Sequence, residues 1–290
     1  LLVELDLSGA DWVCAAFCAN EKNMLEVFNS GKSPHVLTGT RIFGVSEEVV
    51  LRESKLIGLK NDPDEIAELR KSIPELSRCP FLPRTMSIRQ ASKKANHGLT
   101  YRLGYKKYAL VNEIEERESK MVVEGYRGRA YPGLQNKWYP WIDKTIRDTR
   151  IMTNCFGRKV YFSGALDDET FREATAFVPQ STVFDISRRA MQMLLEDDTP
   201  DFEPAEMLAQ VHDSILNQYR SRDFRAMARF AIKLGLDYMS PTLRYNDMDF
   251  TLGVGLKCGK NWGNMRECKL TPDEGALALS LEDVYEETHH

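Results

Sequence analysis

The stretch Leu1-Leu2-Val3-Glu4-Leu5-Asp6-Leu7-Ser8-Gly9-Ala10-Asp11, running on through Trp12 to Ala19, decides the fold class. Residues 1–6 alternate apolar and polar side chains, the period of a half-buried strand. Ser8-Gly9 then breaks the chain before an apolar, helix-forming run over 10–19. A strand thus hands over to a helix, and Asp6 stands at the junction.

The same logic recurs near the other end. Met207 to Val211 and Ser214 to Tyr219 read as two strands separated only by His212-Asp213, so a second aspartate falls in a tight turn. A further strand is expected over 250–256, after a helix over 222–236. Between these distant strands lie helical patterns. Short ones over 21–72 are broken at Gly31, Pro34, Gly58 and Pro63, with Asp62 or Asp64 as a cap. Longer ones are expected over 85–103, 108–123 and 134–150, a hairpin over 151–161, and two helices over 168–177 and 181–195. Strands far apart in sequence with helices inserted between them define an α+β class, not an alternating α/β one.

Composition narrows the function. The chain has 290 residues, 42% of them hydrophobic, and a formal charge of −4, which suits a large packed core and argues against a protein that coats nucleic acid with its whole surface. The charge is unevenly spread. Arg84, Arg89, Lys93, Lys94, Arg102, Lys106 and Lys107 fall in one stretch with no Asp or Glu, a place to attract phosphate. Acidic runs over 196–206 and 273–287 are expected to be a solvated connector and a polar tail that closes on His289-His290. The six cysteines show no CxxC pair and no zinc-like spacing with histidine, so free thiols are expected. No run of 18 apolar residues occurs and the start lacks a basic signal region, so the expected location is the cytoplasm.

Two constellations carry chemistry. Asp6 and Asp213 are hard oxygen donors at rigid element ends, the ligand type magnesium prefers, although either alone is an ordinary turn or cap residue. Arg89, Lys93, His97 and Tyr101 follow at steps of four. Each step advances roughly 400° around a helix, so the four form one winding stripe. Arg and Lys suit a triphosphate, while His and Tyr offer flat rings to a sugar and base.

These segments resemble, in order, the motifs of family A DNA polymerases. Asp6-Leu7-Ser8-Gly9-Ala10-Asp11 is similar to the first palm motif, commonly Asp-Tyr-Ser-Gln-Ile-Glu, and in some phage relatives Asp-x-Ser-Gly-x-Glu. Arg89-x-x-x-Lys93-x-x-Asn96-His97-Gly98-x-x-Tyr101 resembles the fingers O helix. Gln210-Val211-His212-Asp213-Ser214 resembles the last motif, normally Val-His-Asp-Glu. Tyr131-Pro132-Gly133, Gly157-Arg158, Pro179-Gln180 and Gly259-Lys260-Asn261-Trp262 add secondary matches.

The resemblance implies a palm with an antiparallel sheet and a mostly helical fingers insertion, with thumb and exonuclease domains absent from this segment. The implied division is palm over 1–45, fingers over 46–165 with the O-helix-like piece at 85–103, palm again over 166–270, and an acidic tail over 271–290. It implies template-directed addition of deoxynucleotides to a primer 3′ end. Two magnesium ions, replaceable by manganese, would be held by Asp6, Asp213 and the Leu7 carbonyl. Arg89 and Lys93 would grip the incoming triphosphate, with Lys93 also a catalytic proton donor to pyrophosphate. His97, Tyr101 and Asp11 would line the nucleotide, and Arg172, Gln180 and His212 would face the primer-template DNA. No membrane partner is implied, and a thumb or other polymerase domains are expected upstream in the native chain.

The chain departs from the family pattern at several positions. Asp11 stands for the usual Glu, His97 for Phe or Tyr, Arg102 for Gly, Ala176 for a polar residue and Ser214 for a carboxylate. Two other functions remain open on sequence: a noncatalytic DNA-binding fragment, and a metal-dependent phosphodiesterase, which would have no need of the Arg89–Lys93 stripe.

Overall fold

A computed structural model describes residues 1–79 and 81–287. In chain order the strands are β1 (Leu2–Leu7), β2 (Ile151–Thr153), β3 (Lys159–Tyr161), β4 (Ala205–Val211), β5 (Ser214–Tyr219), β6 (Leu243–Tyr245), β7 (Met248–Phe250), β8 (Val254–Gly259) and β9 (Arg266–Cys268). The helices are α1 (Ala10–Ala19), α2 (Lys22–Asn29), α3 (Pro34–Phe43), α4 (Glu47–Ile57), α5 (Pro63–Arg70), α6 (Ile88–Leu99), α7 (Tyr105–Asn112), α8 (Glu116–Glu124), α9 (Tyr139–Thr149), α10 (Asp168–Glu196), α11 (Phe224–Ile232) and α12 (Glu274–Glu287). The class is α+β with an antiparallel sheet, as the strand and helix patterns imply.

The chain forms two compact units. One comprises 1–14, 154–158 and 179–290, and the other 15–153 and 159–178. Residues 15–45 and 166–178 therefore go with the second unit, away from the divisions expected at 45/46 and 165/166.

The first unit is built on a five-stranded antiparallel sheet in the order β4-β5-β1-β8-β9. Alternation along β1 sorts its side chains: Val3, Leu5 and Leu7 are buried, whereas Glu4 and Asp6 are half-buried on the opposite face. Leu5 packs toward Gly235 in the π-helical turn that extends α11, and α12 lies on β8, β9 and α11. Each buried aliphatic side chain of this face contributes about 1.5–3 kcal/mol.

The connector over 196–206 is mostly exposed, with a few of its acids paired, whereas the run expected as a tail folds as a helix. Over 274–287 the expected tail is α12, because Leu277, Ala278, Leu281 and Val284 recur at helical spacing and are buried, with Asp273 accepting from the Ala276 amide as a cap. In the connector, Asp197 pairs with Lys233 at 2.6 Å and accepts from the Tyr238 hydroxyl at 2.5 Å, while Asp201 takes two bonds from Arg229. The histidines at 289 and 290 lie outside the described residues.

The second unit is almost wholly helical. The expected 108–123 helix is two, because Glu113 takes a left-handed φ of 55° and ends α7 before α8 begins. The two helices expected around Pro179 are instead one, α10, with the proline inside it. That proline supplies no N–H to the carbonyl four residues back, and the chain passes between the two units there. The hairpin over 151–161 is present as β2 and β3. The strand expected over 250–256 is divided, its first residue belonging to β7 and its last three to β8.

Candidate functional site

Asp6 and Asp213 lie side by side in the first unit. In the sheet register Asp6 is opposite Ser214 of β5 and Gly255 of β8, so the residue before Ser214 is brought next to Asp6 across about 200 positions of sequence. His212-Asp213 is the two-residue connection between β4 and β5, and His212 takes a φ of 55° at its first position. Such a turn matches the twist of paired strands but costs a non-glycine residue about 1–2 kcal/mol. At the other end of the motif, Gly9 has a φ of 60°, which lets the chain reverse into α1 and lays Asp11 in the first turn of that helix.

The electrostatics are those of crowded acids. Asp6 is pushed up to about 6, first by burial and next by the charge of Asp213, with Lys257 opposing. Asp213 is raised by burial and by Asp11, and Asp11 by its own burial. The two carboxyls also interact directly, which raises Asp6 further and opposes the rise of Asp213. Two adjacent half-buried carboxylates resist being charged together, which is why both are raised. Among the described residues no group of three or more His, Cys, Asp or Glu side chains is arranged to hold a metal. A pair of carboxylates nevertheless fits magnesium, which commonly takes one or two carboxylates and fills its remaining positions with water and phosphate oxygens.

The basic stripe occupies α6 in the second unit. Ser87 caps the helix by accepting from the Gln90 amide, and Ile88, Ala91, Ser92, Ala95, Asn96 and Leu99 turn inward. Lys93 and His97 are exposed and Arg89 is half-buried, on the other side of the helix. The helix is shorter than the 85–103 expected: it closes at Leu99, Arg102 takes a φ of 63°, and the Leu103 amide bonds back to the Gly98 carbonyl. A Cβ on residue 98 would stand 2.8 Å from Leu103 Cδ2, so any larger residue there would push the Leu103 side chain aside. Tyr101 therefore sits beyond the helix end, and the stripe proper is Arg89, Lys93 and His97.

The seven basic residues of that stretch are not uniformly free. Arg84 pairs with Glu115 at 2.6 Å, and Arg102 pairs with Asp143 at 2.7 Å while lying 4.5 Å over the Tyr139 ring. Among the described residues no ion pair engages Arg89, Lys93 or Lys94. An open cavity of about 620 Å³ flanks the helix, lined by Lys60, Ser87, Arg89, Gln90, Lys94 and Asn112 among others. Of the stripe, only Arg89 reaches it.

Sequence reasoning missed His35. It opens α3, its ring centroid is 6.2 Å from that of His97, and Asn96 bonds its Nδ1 at 3.1 Å. Burial, then Arg89, His97 and Lys93, push it down to about 4, and burial with Lys93 lowers His97. Both rings are thus neutral near pH 7. Also missed was Glu53, which anchors the start of α6 from α4. A histidine after Ser-Pro and a glutamate in a charged helix carry no local signal of either role.

Of the residues expected to face nucleic acid, Gln180 and His212 are exposed in the first unit and Arg172 is half-buried in the second.

A family model described as DNA polymerase family A matches residues 75–264. The chain is 25% identical over 242 residues to DNA polymerase I, thermostable, of Thermus aquaticus, covering 80% of this chain and 24% of that protein. It is 23% identical over 271 residues to DNA polymerase I of Chloroflexus aurantiacus, covering 91% and 24%. The chain thus spans about a quarter of the length of these curated relatives. Among solved structures, the POL domain of Pol1 from M. smegmatis, in complex with DNA primer-template and dNTP, aligns with a TM-score of 0.61 at 21% identity, covering 88% of this chain and 39% of that one.

Proposed function

This chain belongs to DNA polymerase family A, and from that premise we propose that it adds deoxynucleotides to a primer 3′ end on a DNA template, the first unit acting as palm and the second as fingers. The observation that carries the proposal is the Asp6–Asp213 dyad, two carboxyls that the pairing of β1 with β5 brings together closely enough for the charge of Asp213 to raise Asp6.

Asp6 and Asp213 would hold two divalent ions with the Leu7 carbonyl, and Mn²⁺ would substitute for Mg²⁺. Bound there, the ions supply positive charge to the attacking 3′ oxygen and the departing pyrophosphate. On α6, Arg89 and Lys93 have no ion pair among the described residues, and their charge suits them to grip a triphosphate. Lys93 would also protonate the leaving pyrophosphate. The neutral His97 ring suits a sugar or base face better than a cation would. Tyr101, past the helix end, is assigned to the same nucleotide, and Asp11 to the sugar. Exposed Gln180 and His212, and Arg172, are assigned to primer-template DNA.

Primer extension with Asp6→Asn and Asp213→Asn tests the proposal. Losing a metal-holding carboxylate removes several kcal/mol of charge stabilisation, so each variant should fall at least about a thousandfold in incorporation rate. Incorporation within a factor of about three of the parent in either variant would remove that residue from the metal site. The short span relative to the curated relatives favours, as a second reading, a fragment that binds DNA without catalysis. Salt-sensitive DNA binding by the unsubstituted chain with no incorporation in Mg²⁺ or Mn²⁺ would select it. Cleavage of labelled DNA with metal and no nucleotides would indicate phosphodiesterase chemistry instead.

A further inference from the structure

Outside the carboxylate dyad, the first unit holds two thiols in near-bonding contact. Cys258 of β8 and Cys268 of β9 have their sulfurs 3.1 Å apart. In the register Cys258 is opposite Arg266 and Leu256 is opposite Cys268, so the two cysteines are a diagonal pair on one face. Twist brings one diagonal of an antiparallel pair together, and here it has brought the two sulfurs to within about 1 Å of a disulfide bond length. Cys258 is fully buried on the face that also carries Val3 and Leu5, and Cys268 is 6% exposed.

We propose that Cys258 and Cys268 are a disulfide-forming site, oxidised by small-molecule disulfides such as oxidised glutathione, and that the bond clamps the edge strand β9 to β8. This is independent of the polymerase assignment. Cys268 is the entry point, because it lies on a three-residue edge strand and is the less buried of the two. The sulfur–sulfur contact and a hydrogen bond with Ser280 of α12 lower the Cys268 thiol, while that same contact and burial push Cys258 up. The Cys268 thiolate attacks one sulfur of the external disulfide, forming a mixed disulfide and expelling one thiolate. Cys258, losing its proton, then attacks the Cys268 sulfur and expels the second thiolate. The two protein protons end on the two released thiols, so one external disulfide is reduced as one internal disulfide forms.

The test is incubation of the native chain with oxidised glutathione, followed by alkylation, trypsin and mass spectrometry. The expected product is Cys258-Gly259-Lys260 joined to Glu267-Cys268-Lys269, with a loss of about 2 Da relative to the two reduced peptides. The urea midpoint of the oxidised chain should shift upward, and dithiothreitol should restore the original value. Full alkylation of both cysteines after native oxidation, or cross-links only to other cysteines, would overturn the site. A cross-link that leaves the urea midpoint unmoved would overturn the clamp. Peptide mapping of the unsubstituted chain needs no variant. Cys258→Ser and Cys268→Ser, each expected to abolish the cross-link while Cys14→Ser preserves it, provide the second line.

Discussion

Replacing Glu53 with Ala should unseat the helix that carries Arg89, Lys93 and His97. Glu53 is fully buried, and its Oε1 accepts from Arg70 Nη2 at 2.6 Å and Nε at 3.0 Å. Its Oε2 accepts from the Ile88 amide, the first of α6, at 3.0 Å. Arg70, 8% exposed, is further tied to the Met86 and Pro83 carbonyls. Truncating the acid leaves a guanidinium buried without its counter-charge and an orphan amide at the helix start, for which about 3–5 kcal/mol is expected. The comparison is Arg52–Glu75, of similar length at 2.7 Å but with side chains 45% and 52% exposed, where removing Glu75 should leave the urea midpoint nearly unmoved. Urea unfolding followed by far-UV circular dichroism distinguishes them. With a slope of about 2 kcal/mol per molar urea, Glu53→Ala should lower the midpoint by about 1.5–2.5 M. The double variant Glu53→Met with Arg70→Leu should recover much of that loss, since an apolar pair leaves no charge unpaired. A Glu53→Ala loss as small as that of Glu75→Ala would refute the argument that this network secures α6.

Other outcomes follow from the same physics. Asp6→Asn should abolish incorporation yet stabilise the metal-free fold at pH 7. Burial first and then the charge of Asp213 raise Asp6 to about 6, so a neutral amide there relieves about 1 kcal/mol of desolvation and repulsion after discounting for solvent screening at this half-buried site, readable as a higher urea midpoint in EDTA. An unchanged or lower midpoint would contradict the crowding. His35, held down to about 4, takes up its proton more readily in the unfolded chain than in the folded one. Stability from this residue is therefore intact above about pH 6.5, falls as pH drops through the window from about 6.5 to 4, and is lost below it. Urea midpoints measured across that window should slope less in His35→Gln; identical slopes would show that His35 is not the group responsible.

Local periodicity identified much that the structure contains. The alternation of Leu2–Leu7, the break at Ser8-Gly9 and the two strands around His212-Asp213 are short-range patterns, and each strand turned out where its side chains alternate or its turn residues fall. Asp62 caps α5 as its position before Pro63 implies. The pattern was less informative where charge masked a buried stripe. Over 273–287 the acidic count suggested a tail, yet four apolar residues at helical spacing sufficed to dock α12 once a sheet edge was present to receive them. In α10, tertiary packing kept one helix continuous through Pro179 where local propensity favoured a break.

By itself the sequence determined that Asp6 ends a strand, that Asp213 occupies a turn, and that Arg89, Lys93 and His97 share one helical face. These depend only on periods of two and 3.6 and on turn chemistry, which neighbours along the chain impose. Only the tertiary structure decided that β1 pairs with β5 and so sets the two aspartates against each other. It also decided that His35 comes beside His97, that Glu53 holds the first turn of α6, and that Cys258 meets Cys268 across two strands. Strand order and helix packing are set by which buried faces fit together at long range, and that energy is not written in the spacing of any single segment.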